Sequence, residues 1–241
     1  MLFALVNSTK TAASPGLSGV CPLCERRVNA RCGEINIWHW AHRKNEDCDS
    51  WYEPETAWHQ NWKLVFGKEH CEQVITKDNV RHIADIFTNN QVVIELQNSP
   101  IQIKVVRKRE DFYGERMLWI INGEEFKHNF SIIEIRPEDE YDEFDDALFE
   151  EIGDEMVDRT TGEIFPNTRK PKELVFSWNW PRKTWMDVQM PVFIDFGCAN
   201  LYRVMEGMGA REGKLKKVNK EDFLKKYGGN IELLPTLING E

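Results

Sequence analysis

Long apolar runs and an N-terminal targeting pattern are both missing from this sequence. No apolar stretch of the 241-residue chain reaches the roughly 20 residues that a membrane-spanning helix needs. The first ten residues, MLFALVNSTK, place no basic residue ahead of their apolar run, so we expect no signal peptide. We therefore expect a cytoplasmic protein without a membrane partner. Its six cysteines should then be reduced or metal-bound rather than paired in disulfides.

An excess of basic residues is also lacking, which at first argues against a nucleic-acid-binding protein. The formal net charge is −9. Residues 134–158, however, hold 13 acidic residues and one base, Arg136, so this segment carries −12 and the rest of the chain +3. Such an acidic block is typical of a solvated surface insertion and offers a surface for a protein partner. The global charge therefore excludes no function class for the remainder.

The pattern along the chain alternates between strands and helices and contains no internal repeat. Two helices are predicted, one in PETAWHQNWKLVFGK and one in SPIQIKVVRKREDFYG, where Ser99 is a suitable N-cap and Gly114 a stop. A third is predicted near the C-terminus in NKEDFLKKYGG. The segment TKTAASPGLSG is predicted to be a loop. Strands are predicted in LFALVN, EQVIT, VRHIADIFT, QVVIELQ, RMLWIING, ELVFSWNW, KTWMDVQ and PVFIDFG.

Cysteine and histidine cluster between residues 21 and 48. CPLC supplies Cys21 and Cys24, HWAH supplies His39 and His42, and Cys48 follows. The C-x2-C pair with a second pair 14 residues later resembles zinc spacing, although the histidine gap is one residue short, which makes Cys48 a competitor for the fourth position. We expect a structural Zn²⁺ held by four of these five residues. The other three cysteines, Cys32, Cys71 and Cys198, are expected to be incidental.

Acidic and amide side chains interrupt two otherwise apolar strands. Strand alternation places Val93, Glu95 and Gln97 on one face, and Asp85 lies on the preceding strand. Facing carboxylates repel unless a cation lies between them, and Mg²⁺ or Mn²⁺ prefers such oxygen ligands. The alternative is that Asp85 pairs with Arg81 or with a base on a helix, and Glu95 with Lys104.

The loop between these two strands decides whether the carboxylates can meet. A two-residue turn at Asn89 and Asn90 would set Asp85 opposite Ile94 and send the two carboxylates to opposite faces. A three-residue loop from Asn89 to Gln91 sets Asp85 opposite Glu95 and requires a residue with positive φ. We therefore predict a loop of odd length or a bulge.

Several ordered motifs resemble those of the competence protein CoiA-like family. They run CPLC, HWAH, a helical Glu-x3-His-x3-Lys, RHIAD, VIELQNS, REDFY and LWIIN over about residues 1–125. The family belongs to the PD-(D/E)xK superfamily of nucleases, so the resemblance implies an α/β, restriction-endonuclease-like mixed sheet flanked by helices. It also implies that Asp85 and Glu95 bind the catalytic metal, with Gln97 where the superfamily usually has lysine. Since glutamine carries no charge, other bases or the metal must then meet the charge of the transition state.

The helix before these strands supplies further candidates. Glu55, His59 and Lys63 lie four residues apart, along one edge of a helix. By the resemblance, Glu55 reaches the metal, and His59 is a weaker catalytic candidate. The candidate phosphate contacts are Lys63, Arg107, Arg109, Arg182 and Lys183.

Together these patterns predict an N-terminal strand and zinc-binding element in residues 1–50 and a nuclease-like core in residues 51–241, with the acidic insertion at about 134–158. The expected activity is metal-dependent hydrolysis of DNA phosphodiester bonds by a metal-bound water held by Asp85 and Glu95. The alternative is a nuclease-fold protein that binds nucleic acid or acts as a scaffold without turnover. Strandedness, sequence specificity and oligomeric state stay open.

Overall fold

The N-terminal part of the chain forms a small antiparallel sheet. The computed structural model describes residues 1–34, 37–43, 48–51, 54–135, 149–153, 155–166 and 173–239. Five short strands pair in the order β2-β1-β3-β4-β5. They are β1 (Phe3–Val6), β2 (Thr9–Ala12), β3 (Ser18–Val20), β4 (Arg27–Arg31) and β5 (His39–Ala41). Their small core is centred on Val28 and Trp40, which are almost fully buried.

A nine-stranded mixed sheet forms the main body, with the order β10-β14-β17-β16-β15-β9-β8-β7-β6. Pairing is parallel between β8 and β9 and between β9 and β15, and antiparallel elsewhere. The strands are β6 (Cys71–Lys77), β7 (Val80–Phe87), β8 (Val93–Gln97), β9 (Met117–Asn122), β10 (Phe130–Ile135), β14 (Glu173–Trp178), β15 (Val192–Asp195), β16 (Asn200–Glu206) and β17 (Glu212–Asn219).

Helices cover both faces of this sheet. They are α1 (Ala57–Phe66), α2 (Ile103–Tyr113), α3 (Lys220–Tyr227) and α4 (Leu234–Asn239). Alternate residues of β9 separate two cores, since Leu118 and Ile120 pack with α1, α3 and α4, while Trp119 and Ile121 pack with α2. The expected mixed sheet flanked by helices is therefore present. No described helix is long and apolar enough to cross a bilayer.

The structure corrects four local predictions. The predicted loop TKTAASPGLSG contains β2 and β3, and the predicted strand KTWMDVQ contains a 3₁₀ turn at Lys183–Trp185. Helix α2 begins at Ile103 after Gln102, not after Ser99. Strands β16 and β17 were not predicted, because β17 buries only Leu215 and Lys-rich alternation gives a weak strand signal.

The acidic segment lies between two strands that pair with each other. Strands β10 and β14 are antiparallel neighbours, and the chain between them forms a separate sheet in the order β11-β12-β13. Its strands are β11 (Phe149–Ile152), β12 (Glu155–Asp158) and β13 (Ile164–Pro166). Residues 136–148 and 154 of the predicted insertion lie outside the described residues, so its role as a surface insertion stays a prediction.

Candidate metal cluster and acidic pocket

Four of the five predicted soft ligands converge at one end of the N-terminal sheet. One ligand atom each from Cys21, Cys24, His42 and Cys48 lies within 4.8 Å of the others. Cys24 Sγ is 3.2 Å from His42 Nε2, and Cys21 Sγ is 3.5 Å from Cys48 Sγ. Two cysteine sulfurs from a C-x2-C turn, one imidazole and one further cysteine sulfur supply four ligand atoms that could hold a metal such as zinc.

The remaining cysteines and His39 stand apart from this cluster. His39 is in β5, and its Nδ1 lies 2.8 Å from the Ile37 carbonyl oxygen. Cys71 donates its thiol to the Lys63 carbonyl, and Cys198 donates to that of Asn200. The cluster therefore uses His42 and Cys48, a choice that spacing alone left open.

The loop between β7 and β8 has the predicted odd length. Ile86 pairs with Ile94 and Phe87 with Val93, and the Thr88 amide donates to the Val92 carbonyl at 3.0 Å. Three residues, Asn89 to Gln91, close the loop, with the positive φ of 57° at Gln91 rather than at an asparagine. The carboxylates of Asp85 and Glu95 consequently line one pocket.

Lys63 occupies the centre of this acidic pocket. Its Nζ lies 3.1 Å from Glu55 Oε1, 3.2 Å from Glu72 Oε1 and 3.0 Å from Asp85 Oδ1. Its side chain is only 4% exposed, whereas Asp85 retains 22% exposure and is the carboxylate open to an incoming ligand. Asp85 Oδ2 also accepts from the Leu96 amide at 3.0 Å. The alternative pairing of Asp85 with a helix base is thus realised by Lys63, a residue predicted to contact phosphate.

A second cation pairs with Glu95. Arg109 Nη1 donates to Glu95 Oε2 at 2.7 Å, and both side chains are almost fully buried. Glu95 therefore pairs with Arg109 rather than with Lys104, and Arg109 lies in the pocket rather than on the exposed surface of α2. Lys63 and Arg109 both line the pocket, whereas the uncharged Gln97 does not.

Helix α1 is held in place by contacts on a second side, which carries Trp58 and Trp62. Trp58 and Trp62 donate their indole N–H groups to Asp195 Oδ2 at 3.0 and 2.9 Å. Asp195 Oδ1 lies 2.9 Å from Lys220 Nζ, and this ion pair is fully buried. His59 and Lys63 are also four residues apart and therefore share one side of the same helix. Anchoring the two tryptophans thus also fixes His59 and Lys63 toward the pocket.

Glu72, which the sequence analysis missed, connects the pocket with the N-terminal sheet. Its Oε1 and Oε2 accept from the amides of Leu2 and Phe3 at 2.7 and 2.8 Å. Its φ of 44° is unusual for a residue with a side chain, and such strain persists only where surrounding contacts hold it. A positive φ leaves no signal in a sequence.

The pKa values of the two predicted metal ligands, Asp85 and Glu95, are shifted in opposite directions. Burial raises the pKa of Glu95 to about 8, against the opposing effect of Arg109. Burial also acts to raise the pKa of Asp85, but Lys63 and His59 outweigh it and hold that pKa below its ordinary value. Asp85 is therefore ionised at neutral pH, while Glu95 largely keeps its proton.

The other predicted site residues fall into two groups, one lining the pocket and one outside it. His59 lines the pocket, with its Nδ1 2.8 Å from Thr56 Oγ1. Gln97 is fully buried, donates to the Ser99 carbonyl at 2.8 Å and is not among the pocket-lining residues. Among the predicted phosphate contacts, Arg107 is exposed and pairs with Asp187, Arg182 lies 4.9 Å from the centre of the Phe126 ring, and Lys183 is exposed.

Comparison with known proteins gives one match. Residues 18–50 match the family described as competence protein CoiA, N-terminal domain. No curated protein and no solved structure matches the chain significantly. The match spans Cys21, Cys24, His42 and Cys48 and ends before Glu55, so it supports a CoiA-like identity for the element that carries the metal cluster.

Proposed function

We propose that this protein is a divalent-metal-dependent nuclease that hydrolyses DNA phosphodiester bonds. We further propose a restriction-endonuclease-like core of the PD-(D/E)xK type and a structural Zn²⁺ in the Cys/His cluster. One observation carries the proposal: the odd-length loop and α1 bring Glu55, Asp85 and Glu95 into one pocket with Lys63. Carboxylates converging from a strand pair and, for Glu55, from just before the start of α1 at Ala57 are suited to hold a hard cation beside a phosphate.

The charge balance of the pocket favours a divalent ion. The pocket is lined by five carboxylates, Asp49, Glu55, Glu72, Asp85 and Glu95, and by the cationic groups of Lys63, Arg109 and the Met1 N-terminus, so negative charge is in excess. In the absence of metal, a proton on Glu95 takes up part of this excess negative charge. The Tyr113 hydroxyl also interacts with this carboxyl and acts to lower the pKa of Glu95.

Asp85 and Glu95 would hold Mg²⁺ or Mn²⁺ with oxygen ligands that suit either ion. When bound, the ion would polarise the phosphate and activate water for hydrolysis. Lys63 contributes a positive charge beside Asp85, where negative charge develops on the phosphate oxygens. In this proposal Lys63, rather than Gln97, supplies the fixed cation of the site.

A second candidate function has its own observation. Lys63 and Arg109 already pair with four carboxylates, so the pocket is partly neutralised without any metal ion. A protein that binds nucleic acid without cleaving it is consistent with this arrangement. The two candidates differ in turnover, which can be measured directly.

Plasmid nicking tests the proposal. We expect the wild-type protein with Mg²⁺ or Mn²⁺ to nick supercoiled DNA. Asp85→Asn should reduce the rate about 100-fold, because it removes a charged ligand worth several kcal/mol but keeps an acceptor for the Leu96 amide. Asp78→Asn is the matched control, since Asp78 is exposed and its φ of 51° suits asparagine. Binding of DNA without nicking by the wild type would favour the second candidate.

Metal binding should release a proton from Glu95. With a pKa of about 8 this carboxyl is largely protonated at pH 7, and a cation can bind only its ionised form. We expect Mn²⁺ titration at pH 7, in calorimetry buffers of different ionisation enthalpy, to show release approaching one proton. The release should vanish well above pH 8, and affinity should rise with pH up to that point. Glu95→Gln is the control, and Mn²⁺ binding by the wild type without proton release at pH 7 would contradict the assignment.

A further inference from the structure

The segment from Cys48 to Trp51 connects the metal cluster to the acidic pocket. Cys48 contributes a ligand atom to the cluster, while Asp49 and Trp51 line the pocket. None of the patterns in the sequence pointed to Asp49 or Trp51, because their partners lie on β7 and α2, far along the chain. The contacts of these two side chains determine what this segment does.

Asp49 fixes the segment to β7. Its Oδ1 accepts from the Trp51 amide and from His82 Nδ1, both at 3.0 Å, and its Oδ2 accepts from the Ile83 amide at 2.9 Å. The side chain is only 8% exposed, so all of these bonds are shielded from water. A buried carboxylate with three donors holds one position tightly. Ile83, one of the three donors, lies two residues before Asp85 on β7.

Trp51 links Asp49 to Glu95 through Arg109. Its ring stacks on His82, with centroids 3.3 Å apart and planes 9° from parallel. Its carbonyl accepts from Arg109 Nη2 at 2.6 Å, while Nη1 of the same guanidinium donates to Glu95 Oε2 at 2.7 Å. Because the guanidinium is planar and rigid, a shift of the Trp51 carbonyl must tilt the group that orients Glu95.

We propose that Asp49 is a positioning residue for divalent-metal binding in the acidic pocket. It holds Trp51 and thereby orients Arg109 and the Glu95 carboxylate, without itself contacting the metal. This inference rests on the proposed function, since it requires that the pocket bind a divalent ion. Partners that orient metal ligands typically affect metal affinity 10- to 100-fold.

Mn²⁺ affinity of the zinc-loaded full chain, measured from the electron paramagnetic resonance signal of free Mn²⁺, tests the proposal. Asp49→Glu keeps the negative charge near the pocket but adds a methylene that disrupts the three hydrogen bonds. We expect it to weaken Mn²⁺ binding about tenfold while far-UV circular dichroism and zinc content stay at the wild-type values. The control, Asp187→Asn, changes an exposed carboxylate that pairs with Arg107 and should leave Mn²⁺ affinity unchanged.

The outcomes separate this inference from the proposed function. Wild-type affinity in a folded Asp49→Glu protein would show that Asp49 supports the fold alone and would overturn the inference. Absence of Mn²⁺ binding by the wild type would overturn the proposed function, and the inference with it. If Asp49→Glu does not fold, Asp49→Asn decides. A loss of affinity that persists in about 0.5 M KCl supports positioning, whereas one abolished by that salt is long-range charge attraction and overturns it.

Discussion

Replacing Lys63 with methionine should destabilise the protein by about 3–5 kcal/mol and reduce DNA cleavage by about 100- to 1,000-fold. Methionine keeps an unbranched apolar chain but removes the ammonium group that lies within 3.2 Å of Glu55, Glu72 and Asp85. The almost fully buried carboxylates of Glu55 and Glu72 and the partly exposed carboxylate of Asp85 would then lack their shared counter-charge. Chemical denaturation at pH 7 measures the first effect and plasmid nicking the second.

The stability loss in Lys63→Met should depend on pH and on metal. Attraction by Lys63 helps to hold the pKa values of Asp85 and Glu72 below their ordinary values, so this stabilisation is present at neutral pH and lost as pH falls through those pKa values. The difference in free energy of unfolding between wild type and variant should therefore decrease below about pH 4. Millimolar Mn²⁺ should also reduce this difference, because the folded variant, without the ammonium group among its carboxylates, should bind the cation more tightly than the folded wild type does.

Lys68→Met is the matched control for this experiment. Lys68 follows α1 closely, is 54% exposed and pairs only distantly with Glu69, at 3.8 Å. Exposed pairs of this kind contribute at most about 1 kcal/mol. Equal stability of Lys63→Met and Lys68→Met at pH 7 would refute the view that Lys63 is the counter-ion of the pocket.

Local rules were sufficient for the parts of the site that depend on spacing. The β7–β8 loop was predictable because strand alternation and loop length together set which side chains face each other. The Cys/His cluster was predictable because a C-x2-C turn has few other uses beside a nearby histidine pair. Both features are local in the chain, and neither requires knowledge of how helices pack on the sheet.

Tertiary packing determined the rest. Lys63 and Arg109 were predicted as phosphate contacts on helices, and α1 and α2 direct both into the pocket, where they pair with carboxylates. Glu72 and Asp49 belong to no motif, and each acts through backbone amides or side chains contributed by distant segments. The Gln97 side chain instead bonds locally to Ser99. A sequence motif can therefore identify the strands of a site without identifying which charged groups complete it.

Removing the metal from the Cys/His cluster should unfold the N-terminal sheet. Its strands span three to five residues, and its core contains few large side chains besides Trp40. A sheet this small buries too little apolar surface to be stable alone, whereas structural Zn²⁺ contributes folding free energy on the order of 10 kcal/mol. We expect one zinc ion per chain by elemental analysis. After chelation, amide hydrogens in residues 3–6, 27–31 and 39–41 should exchange rapidly.

Serine substitutions distinguish the metal ligands from the other cysteines. Cys24→Ser removes a cluster ligand and should lower zinc content and amide protection together. Cys32→Ser lies in the same element but outside the cluster, so it should retain both. Because the Leu2 and Phe3 amides hold Glu72, loss of this sheet should also weaken Mn²⁺ binding in the acidic pocket. Retained amide protection in zinc-free protein would show that the sheet is stabilised by its packing on the core and that the cluster is not structural.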